Sequence, residues 1–422
     1  MQPKIESADR ESIRQMQLER LQATLNRAYR HVTLYREKFD EAGMLPEQIR
    51  SLEDLQNLPL TSREDLLDHQ PYGLFAMALR DIVRIHPSAG AGGPIVVGYT
   101  QNDINVWARM AARALTSAGV TREDVIQISL DYAQNAAGMG AQSGAELLGA
   151  SVIPSSGLAP KRQAEVMRLY RATVLVATPS QALHLGQYLG DVEKASLSLR
   201  SALIVGPVWS NELRSEIENL LHVEAFASYG LTEMAVPGLA TGCEKHCGLH
   251  ISEDNVLAEA VDPETGKAVA PGETGELVLT TLTREGVPMI RYRTGGTTVL
   301  HEEPCECGRS FARMELMEER TDDIVIVKGA RVSPHQIEEV VHDILPNASC
   351  KLIVCGDDRS EDLEVRIGVD PTRFGDEIRH LQMLQEHIKA HIFEHLGLRA
   401  VIRLVEPDRP QAAPDGPPKF ME

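Results

Sequence analysis

The chain has 422 residues, and its 61 acidic against 42 basic side chains give a formal net charge of −19, which excludes a nonspecific nucleic-acid binder that works by neutralising phosphates. Its length and its 43% hydrophobic content exceed what one small core needs, so two or more domains are expected. No run approaches about 18 consecutive apolar residues, and MQPKIESADRESIRQMQLERL lacks the apolar middle of a secretory signal, so a soluble, cytoplasmic protein without a membrane partner is expected.

Residues 9–33 read as a helix with one apolar stripe, Leu18, Leu21, Leu25, Ala28 and Val32, while Ile13 and Met16 lie off it. Ser51 and Thr61 are expected caps of short elements between Pro46 and the segment TSREDLLDH. A short strand from Val83 and an extended run Ile95 to Tyr99 flank Ser88 to Gly93. That permissive backbone suits either a hairpin or backbone N–H donation to a phosphate. A helix over 101–118, the strand VIQISL and the small-residue segment NAAGMGAQSGAELLGA follow, the last suiting either close helix packing or a substrate-facing loop. Strands TVLVAT and SALIVG then alternate with helical ALHLGQYL and NELRSEIENLL, the mark of α/β construction. From Leu257 strands dominate: LAEAVD, TGELVLTTL, PMIRYRTG and TTVLHE. A small β-rich module with two helices, HQIEEVVHDIL and EIRHLQMLQEHIKAHIFEHLG, begins beside Asp322, and the tail RPQAAPDGPPKFME has no buried periodic face. The expected domains are residues 1–321 and 322–422.

Chemistry-bearing residues concentrate between Arg291 and Glu338, where RYRTGG, CECGR and RTDDIVIVKGARVSP place charges and Gly turns between strand-like runs. Cys243, Cys247 and His250 upstream join Cys305 and Cys307 in a constellation with the soft donors of a tetrahedral zinc site, and His246 adds a sixth candidate. Packed small thiols and a hydrogen-bonded imidazole are the plainer alternative. Cys350 and Cys355, in the apolar run SCKLIVCG, read as strand core.

Taken together, HPSAGAGGPIVVGYT, SYGLTEM, GLHISED, TGELVLTTL, PMIRYRTGG and RTDDIVIVKGARVSPHQIEE, in this order and spacing, closely resemble the phenylacetate–CoA ligase family of adenylate-forming ligases. The resemblance runs over nearly the whole chain. It implies a large N-terminal α/β domain with a β-rich distal part and a small, mobile α+β C-terminal domain. It also implies ATP, Mg²⁺ and coenzyme A as cofactors, a carboxylate substrate, aromatic such as phenylacetate, and a homodimer. The reaction implied joins the carboxylate to the α-phosphate of ATP, after which the coenzyme A thiol attacks the acyl adenylate.

Residue by residue, the resemblance places Ser88, Gly90, Gly92 and Gly93 in a phosphate loop and Ser228, Tyr229, Gly230, Thr232 and Glu233 in an AMP loop. Tyr229 would pack on adenine, Thr232 would bond phosphate and Glu233 would hold Mg²⁺. Arg320 would face ribose or phosphate, Asp322 would be the hinge, and Lys328 and Gly329 would line the thioester-forming side. Tyr132, Gly138 to Gly144 and Trp209 are candidate substrate contacts. For zinc, the resemblance favours Cys243, His250, Cys305 and Cys307, with Cys247 next.

Four positions depart from the family pattern. SAGAGGP replaces a Ser/Thr-rich loop and puts Gly93 where Lys is expected. Gly296 stands where an Asp grips the ribose hydroxyls, and Gly206 where a Glu precedes the substrate wall. Pro417 falls on the tail's catalytic Lys, for which Lys419 substitutes only if the tail shifts by about two residues. Two readings follow: a divergent ATP-dependent acyl- or aryl-CoA ligase, or an inactive or repurposed adenylate-fold protein that binds a nucleotide, coenzyme A or an acyl ligand.

Overall fold

The computed structural model describes residues 4–88, 94–132, 136–189, 197–206, 210–270, 272–322, 325–327, 330–332, 334–346, 348–355, 362–369, 378–396 and 400–405. Asp9 accepts the Ser12 N–H at 2.9 Å and caps helix α1 (Arg10–His31). Its buried face is Ile13, Gln17, Leu21, Thr24, Leu25 and Ala28, so Ile13 lies on the stripe and Leu18 is only half-buried, contrary to the sequence expectation. The cause is polar residues on the inner face: the Gln17 amide donates to the Glu253 carbonyl at 3.1 Å and the Thr24 hydroxyl to the Leu282 carbonyl at 2.9 Å. The next cap also differs from expectation. Ser62, not Thr61, caps helix α3 (Arg63–Leu67), which follows α2 (Thr33–Glu41); the Thr61 hydroxyl instead donates to the Ile290 carbonyl at 2.7 Å.

Strands β1 (Arg84–Ser88) and β2 (Ile95–Tyr99) form an antiparallel hairpin of their own. Helix α4 (Gln101–Ser117) lies against α5 (Ala137–Leu148), whose Gly140 and Gly144 admit it: a Cβ would stand 2.4 Å from the Trp107 ring at one and 2.6 Å from Ala111 and Ala112 atoms at the other. Close helix packing therefore accounts for the small-residue run.

Among the described residues, one eleven-stranded sheet organises the larger unit. Strands β4 (Ser151–Pro154), β3 (Val125–Ile128), β5 (Val174–Ala177), β6 (Ser201–Val205) and β7 (Glu224–Leu231) neighbour one another in that order and are parallel. The antiparallel part continues through β8 (Ala235–Thr241), β9 (Leu249–Ile251), β13 (Arg313–Arg320), β12 (Tyr292–His301), β11 (Gly275–Thr281) and β10 (Val256–Val261). The two strands expected from PMIRYRTG and TTVLHE are one strand, β12, with irregular register beside Gly296.

Two compact units span Met1–Ile324 and Val325–Glu422. The smaller contains β14 (Val325–Val327) paired with β15 (Ala330–Val332), and a three-stranded sheet of β16 (Cys350–Cys355), β17 (Asp362–Gly368) and β18 (Ala400–Val405). Ile337 and Val341 of the helix Pro334–His342 and Ile388 and Ile392 of the helix Ile378–Leu396 share a core with Leu363, Val365 and Ile367, and Cys350 packs against that core. No helix among the described residues is long and apolar enough to cross a membrane.

Candidate functional site

The end of β1 meets the turn that follows β7. Ser88 Oγ is hydrogen-bonded to Thr232 Oγ1, and the Tyr99 hydroxyl donates to the Thr232 carbonyl at 3.5 Å. Thr232 also donates to Glu233 Oε2 at 3.2 Å, while Glu233 Oε1 takes Arg63 Nη1 at 2.8 Å and the Tyr292 hydroxyl at 3.4 Å. Glu233 is 1% exposed and Arg63 6%, so the carboxylate is buried with its counter-charge, the condition under which a buried ion is tolerated. The structure thus brings Ser88, Thr232 and Glu233 together. It adds Arg63 and Tyr292, which sequence reasoning missed; TSREDLL signalled a capped helix but not where its first side chain would reach.

Other members of the expected AMP loop have packing roles. Ser228 Oγ accepts the Gly238 N–H at 3.1 Å and donates to the Ala240 carbonyl at 3.4 Å, tying β7 to β8. At Gly230 a Cβ would stand 2.2 Å from the Ala235 carbonyl oxygen, so the close approach of β8 requires glycine. Tyr229, 5% exposed, packs in the apolar core. Gly90, Gly92, Gly93, Trp209, Lys328, Gly329, Pro417 and Lys419 lie outside the described residues.

The RYRTGG stretch separates into distinct parts. Arg291, with φ 47°, turns inward and is 2% exposed. It donates to the carbonyls of Gln56, Leu58 and Gly266 and pairs with Glu259 at 3.0 Å. Arg293 Nε donates to both Glu276 oxygens, at 3.1 and 3.0 Å. Arg320 grips Asp322 with a two-pronged pair at 2.6 and 2.7 Å and donates to the Thr294 carbonyl at 3.1 Å. Gly295 has φ +70°, and a Cβ there would lie 2.0 Å from Asp322 Oδ2, so glycine is obligatory. At Gly296 the nearest atoms to a Cβ are Thr294 Oγ1 at 3.6 Å and Arg320 Nη1 at 4.0 Å, which leaves room for a side chain.

Tyr132, a candidate substrate contact in the sequence, lies just before α5. The Tyr132 ring rests on Gly138, where a Cβ would stand 2.6 Å away, and its hydroxyl is buried without a hydrogen-bond partner among the described residues. Burial, with a smaller contribution from Glu146, pushes its pKa up to about 12, so the hydroxyl is protonated and available as a donor.

Four metal-type donors converge elsewhere: Cys243, His250, Cys305 and Cys307, with ligand atoms all within 4.8 Å of one another. Cys243 Sγ is 3.9 Å from Cys305 Sγ, and Cys307 Sγ is 3.4 Å from His250 Nε2. A tetrahedral zinc needs about 3.8 Å between sulfurs and about 3.6 Å between sulfur and nitrogen, so this donor set fits. His250 Nδ1 faces the Phe311 carbonyl at 3.2 Å, which orients the ring with Nε2 toward the thiols, and burial lowers its pKa to about 4, keeping the imidazole neutral. Burial raises the Cys305 thiol to about 11. It pushes Cys307 up as well, but hydrogen bonds from the Arg309 backbone and guanidinium overturn that and hold Cys307 below the usual thiol value. Cys247 Sγ is 3.3 Å from Cys305 Sγ but stands outside the quartet, and His246 packs against the Phe226 ring.

The sequence model for AMP-binding enzymes matches residues 104–282, and the model for their C-terminal domain matches residues 329–413. A phenylacetate-coenzyme A ligase of Thermus thermophilus is 36% identical over 96% of this chain and 95% of its own length. One from Escherichia coli is 41% identical over 80% of this chain and 78% of its own. In fold the chain is similar to a 2-hydroxyisobutyryl-CoA ligase solved with its acyl-AMP and CoA, with a TM-score of 0.89 at 23% identity, covering 99% of this chain and 91% of that one. Identity at this level over nearly the full length means that the chain belongs to the phenylacetate-coenzyme A ligase family of AMP-binding enzymes.

Proposed function

We propose that the protein is an ATP-dependent acyl-CoA ligase that activates a carboxylate, aromatic by analogy with its relatives, as the acyl adenylate and transfers the acyl group to coenzyme A. The observation that carries this reading is the joining of Ser88, Thr232 and Glu233 at the ends of β1 and β7, in a chain of this family. In the proposed roles Thr232 bonds the α-phosphate, where charge develops as pyrophosphate leaves, and Arg320 faces the ribose or phosphate. Bound Mg²⁺ would neutralise phosphate charge, and Glu233 offers the single carboxylate that such sites pair with substrate phosphates. The protonated Tyr132 hydroxyl offers a donor in the acyl pocket, and Lys419 is proposed as the tail's cation. Cys243, His250, Cys305 and Cys307 are proposed as ligands of a structural zinc, since the proposed ligase chemistry calls on no zinc-activated water.

Calorimetry of the full-length protein with ATP and excess Mg²⁺, at concentrations that resolve millimolar affinity, tests the ligase reading. Saturable binding followed by carboxylate-dependent pyrophosphate exchange is expected. Binding of coenzyme A with no response to ATP would favour the repurposed reading, which the pairing of Glu233 with Arg63 also suits.

Gly296 gives a second test. Gly296→Asp is expected to leave the thermal midpoint unchanged, because a Cβ meets nothing closer than 3.6 Å, and to tighten ATP by a factor of about 2–12 through one restored ribose hydrogen bond of about 0.5–1.5 kcal/mol. Titration of both proteins with ATP checks it. Equal affinities would mean that the ribose is held elsewhere.

A further inference from the structure

Glu233 is built as an occupied site. Oε1 carries the Arg63 guanidinium at 2.8 Å and the Tyr292 hydroxyl at 3.4 Å, and Oε2 carries the Thr232 hydroxyl at 3.2 Å. A divalent ion arriving at Oε1 meets a cation already in place, and two positive charges cannot share one buried carboxylate oxygen without large repulsion. Arg63 is delivered there by construction. It is the first residue of α3, whose Ser62 N-cap and Asp65 exchange hydrogen bonds at 2.7 and 3.2 Å and so fix the backbone from which the guanidinium departs. Ser88 is bonded to Thr232, which is bonded to Glu233, so the three side chains form one chain of contacts that ends on the guanidinium.

We infer that Arg63 is a positioning residue that guards Glu233. In the nucleotide-free protein its guanidinium holds the carboxylate and keeps divalent metal off, and on arrival of a metal–phosphate ligand the ion pairs exchange, metal to Glu233 and guanidinium to phosphate oxygen. The exchange moves no proton and conserves charge: two cations and two anions change partners. A divalent ion without phosphate has nothing to offer the guanidinium, so it is excluded, whereas a phosphate ligand presents oxygens that match the paired N–H donors of Arg63. The use of this device rests on the proposed ligase reading, but its test does not.

The probe is Mn²⁺ without nucleotide, followed by loss of the free-ion electron paramagnetic resonance signal on the full-length protein. Wild type is expected to bind weakly, Arg63→Lys to behave as wild type, and Arg63→Gln to bind at least tenfold more tightly at pH 8.5. The gain should vanish in the Arg63→Gln/Glu233→Gln double variant. A second measurement does not need Arg63→Gln to fold: Glu233→Gln, which removes the carboxylate from the guanidinium, is expected to bind inorganic pyrophosphate at least threefold more tightly than wild type. Mn²⁺ affinity in Arg63→Gln equal to wild type, a gain that survives loss of Glu233, or pyrophosphate affinity unchanged in Glu233→Gln would each overturn the inference. A merely structural ion pair would lower the thermal midpoint in these variants and leave both affinities alone. Absence of ATP binding by wild type would count against the ligase reading while these measurements still judged Arg63.

Discussion

Replacing Arg291 by Met is expected to cost about 3–5 kcal/mol of stability, the range for removing one partner of a buried ion pair. The guanidinium is 2% exposed and bonds Gln56 and Gly266 carbonyls at 3.0 and 2.8 Å besides the Glu259 carboxylate at 3.0 Å. It therefore joins the N-terminal segment, strand β10 and the turn after it. A Met fills similar volume but leaves these acceptors without their donor, and leaves Glu259 buried without its cation. The loss should depend on pH, and its sign follows from Glu259. Burial raises the Glu259 pKa above the usual carboxylate value, and Arg291 opposes the rise. A carboxyl whose folded value lies above its unfolded value contributes stability at low pH that is lost as pH rises through the folded value. Removing Arg291 takes away the opposing contribution, so the folded value climbs further and the losing window extends upward. Urea unfolding at pH 5 and pH 8 should then show the larger deficit at pH 8. If Arg291 were a nucleotide ligand, the variant would keep its midpoint and lose ATP affinity instead.

That expectation marks where the sequence ceased to be legible. A run such as RYRTGG reads as a site because polar and glycine residues crowd it, yet its side chains part company in space. Arg291 props the interior, Arg293 pairs with Glu276, Tyr292 reaches Glu233, and Gly295 is fixed by the Asp322 carboxylate. Spacing along the chain cannot distinguish these fates, because a left-handed residue at Arg291 reverses the direction in which its side chain leaves the backbone. The alternating strands and helices of the parallel half were legible because fully apolar runs such as Val174–Ala177 must be buried on both faces. Strands β8 and β13 were not. Pro237 and Gly238 argue locally against a strand, and the sequence RMELMEER has residues that favour a helix, so only pairing with β7 and β9 on one side and with β12 and β9 on the other makes them extended. Arg63 was invisible for the same reason: its partner lies 170 positions away, and nothing in either neighbourhood announces the other. The thiol cluster was legible as a set of candidates, because soft donors in closely spaced pairs are rare outside such sites. Which four of them would converge was a question of distance.

The full-length protein, prepared without chelator, is expected to carry one zinc per chain. Cys305→Ser is expected to lose it and Cys247→Ser to keep it. The difference rests on geometry. Cys305 Sγ lies 3.9 Å from Cys243 Sγ within a quartet whose ligand atoms all fall within 4.8 Å of one another, whereas Cys247, though 3.3 Å from Cys305 Sγ, stands outside the quartet. The groups around the four side chains agree: the Cys307 N–H points to Cys305 Sγ at 3.5 Å, Arg309 bonds Cys307 Sγ at 3.3 Å, and the Phe311 carbonyl orients His250. The quartet ties the segment after β8 to the turn before β13, two strands that sandwich β9 in the antiparallel sheet. A ligand bound only by the folded state at 1,000 times its dissociation constant adds about 4 kcal/mol, so chelation should lower the unfolding midpoint of wild type and of Cys247→Ser by similar amounts. Cys305→Ser should already sit at the chelated wild-type midpoint and respond no further. Elemental analysis and thermal melts with and without chelator read both quantities. If zinc is lost from Cys247→Ser and kept by Cys243→Ser, the metal takes Cys247 in place of Cys243, and the segment 243–250 must reach the ion from its other end. If neither wild type nor variant holds zinc and chelator moves no midpoint, the four side chains are packed thiols with a hydrogen-bonded imidazole, and the sheet draws its stability there from burial alone.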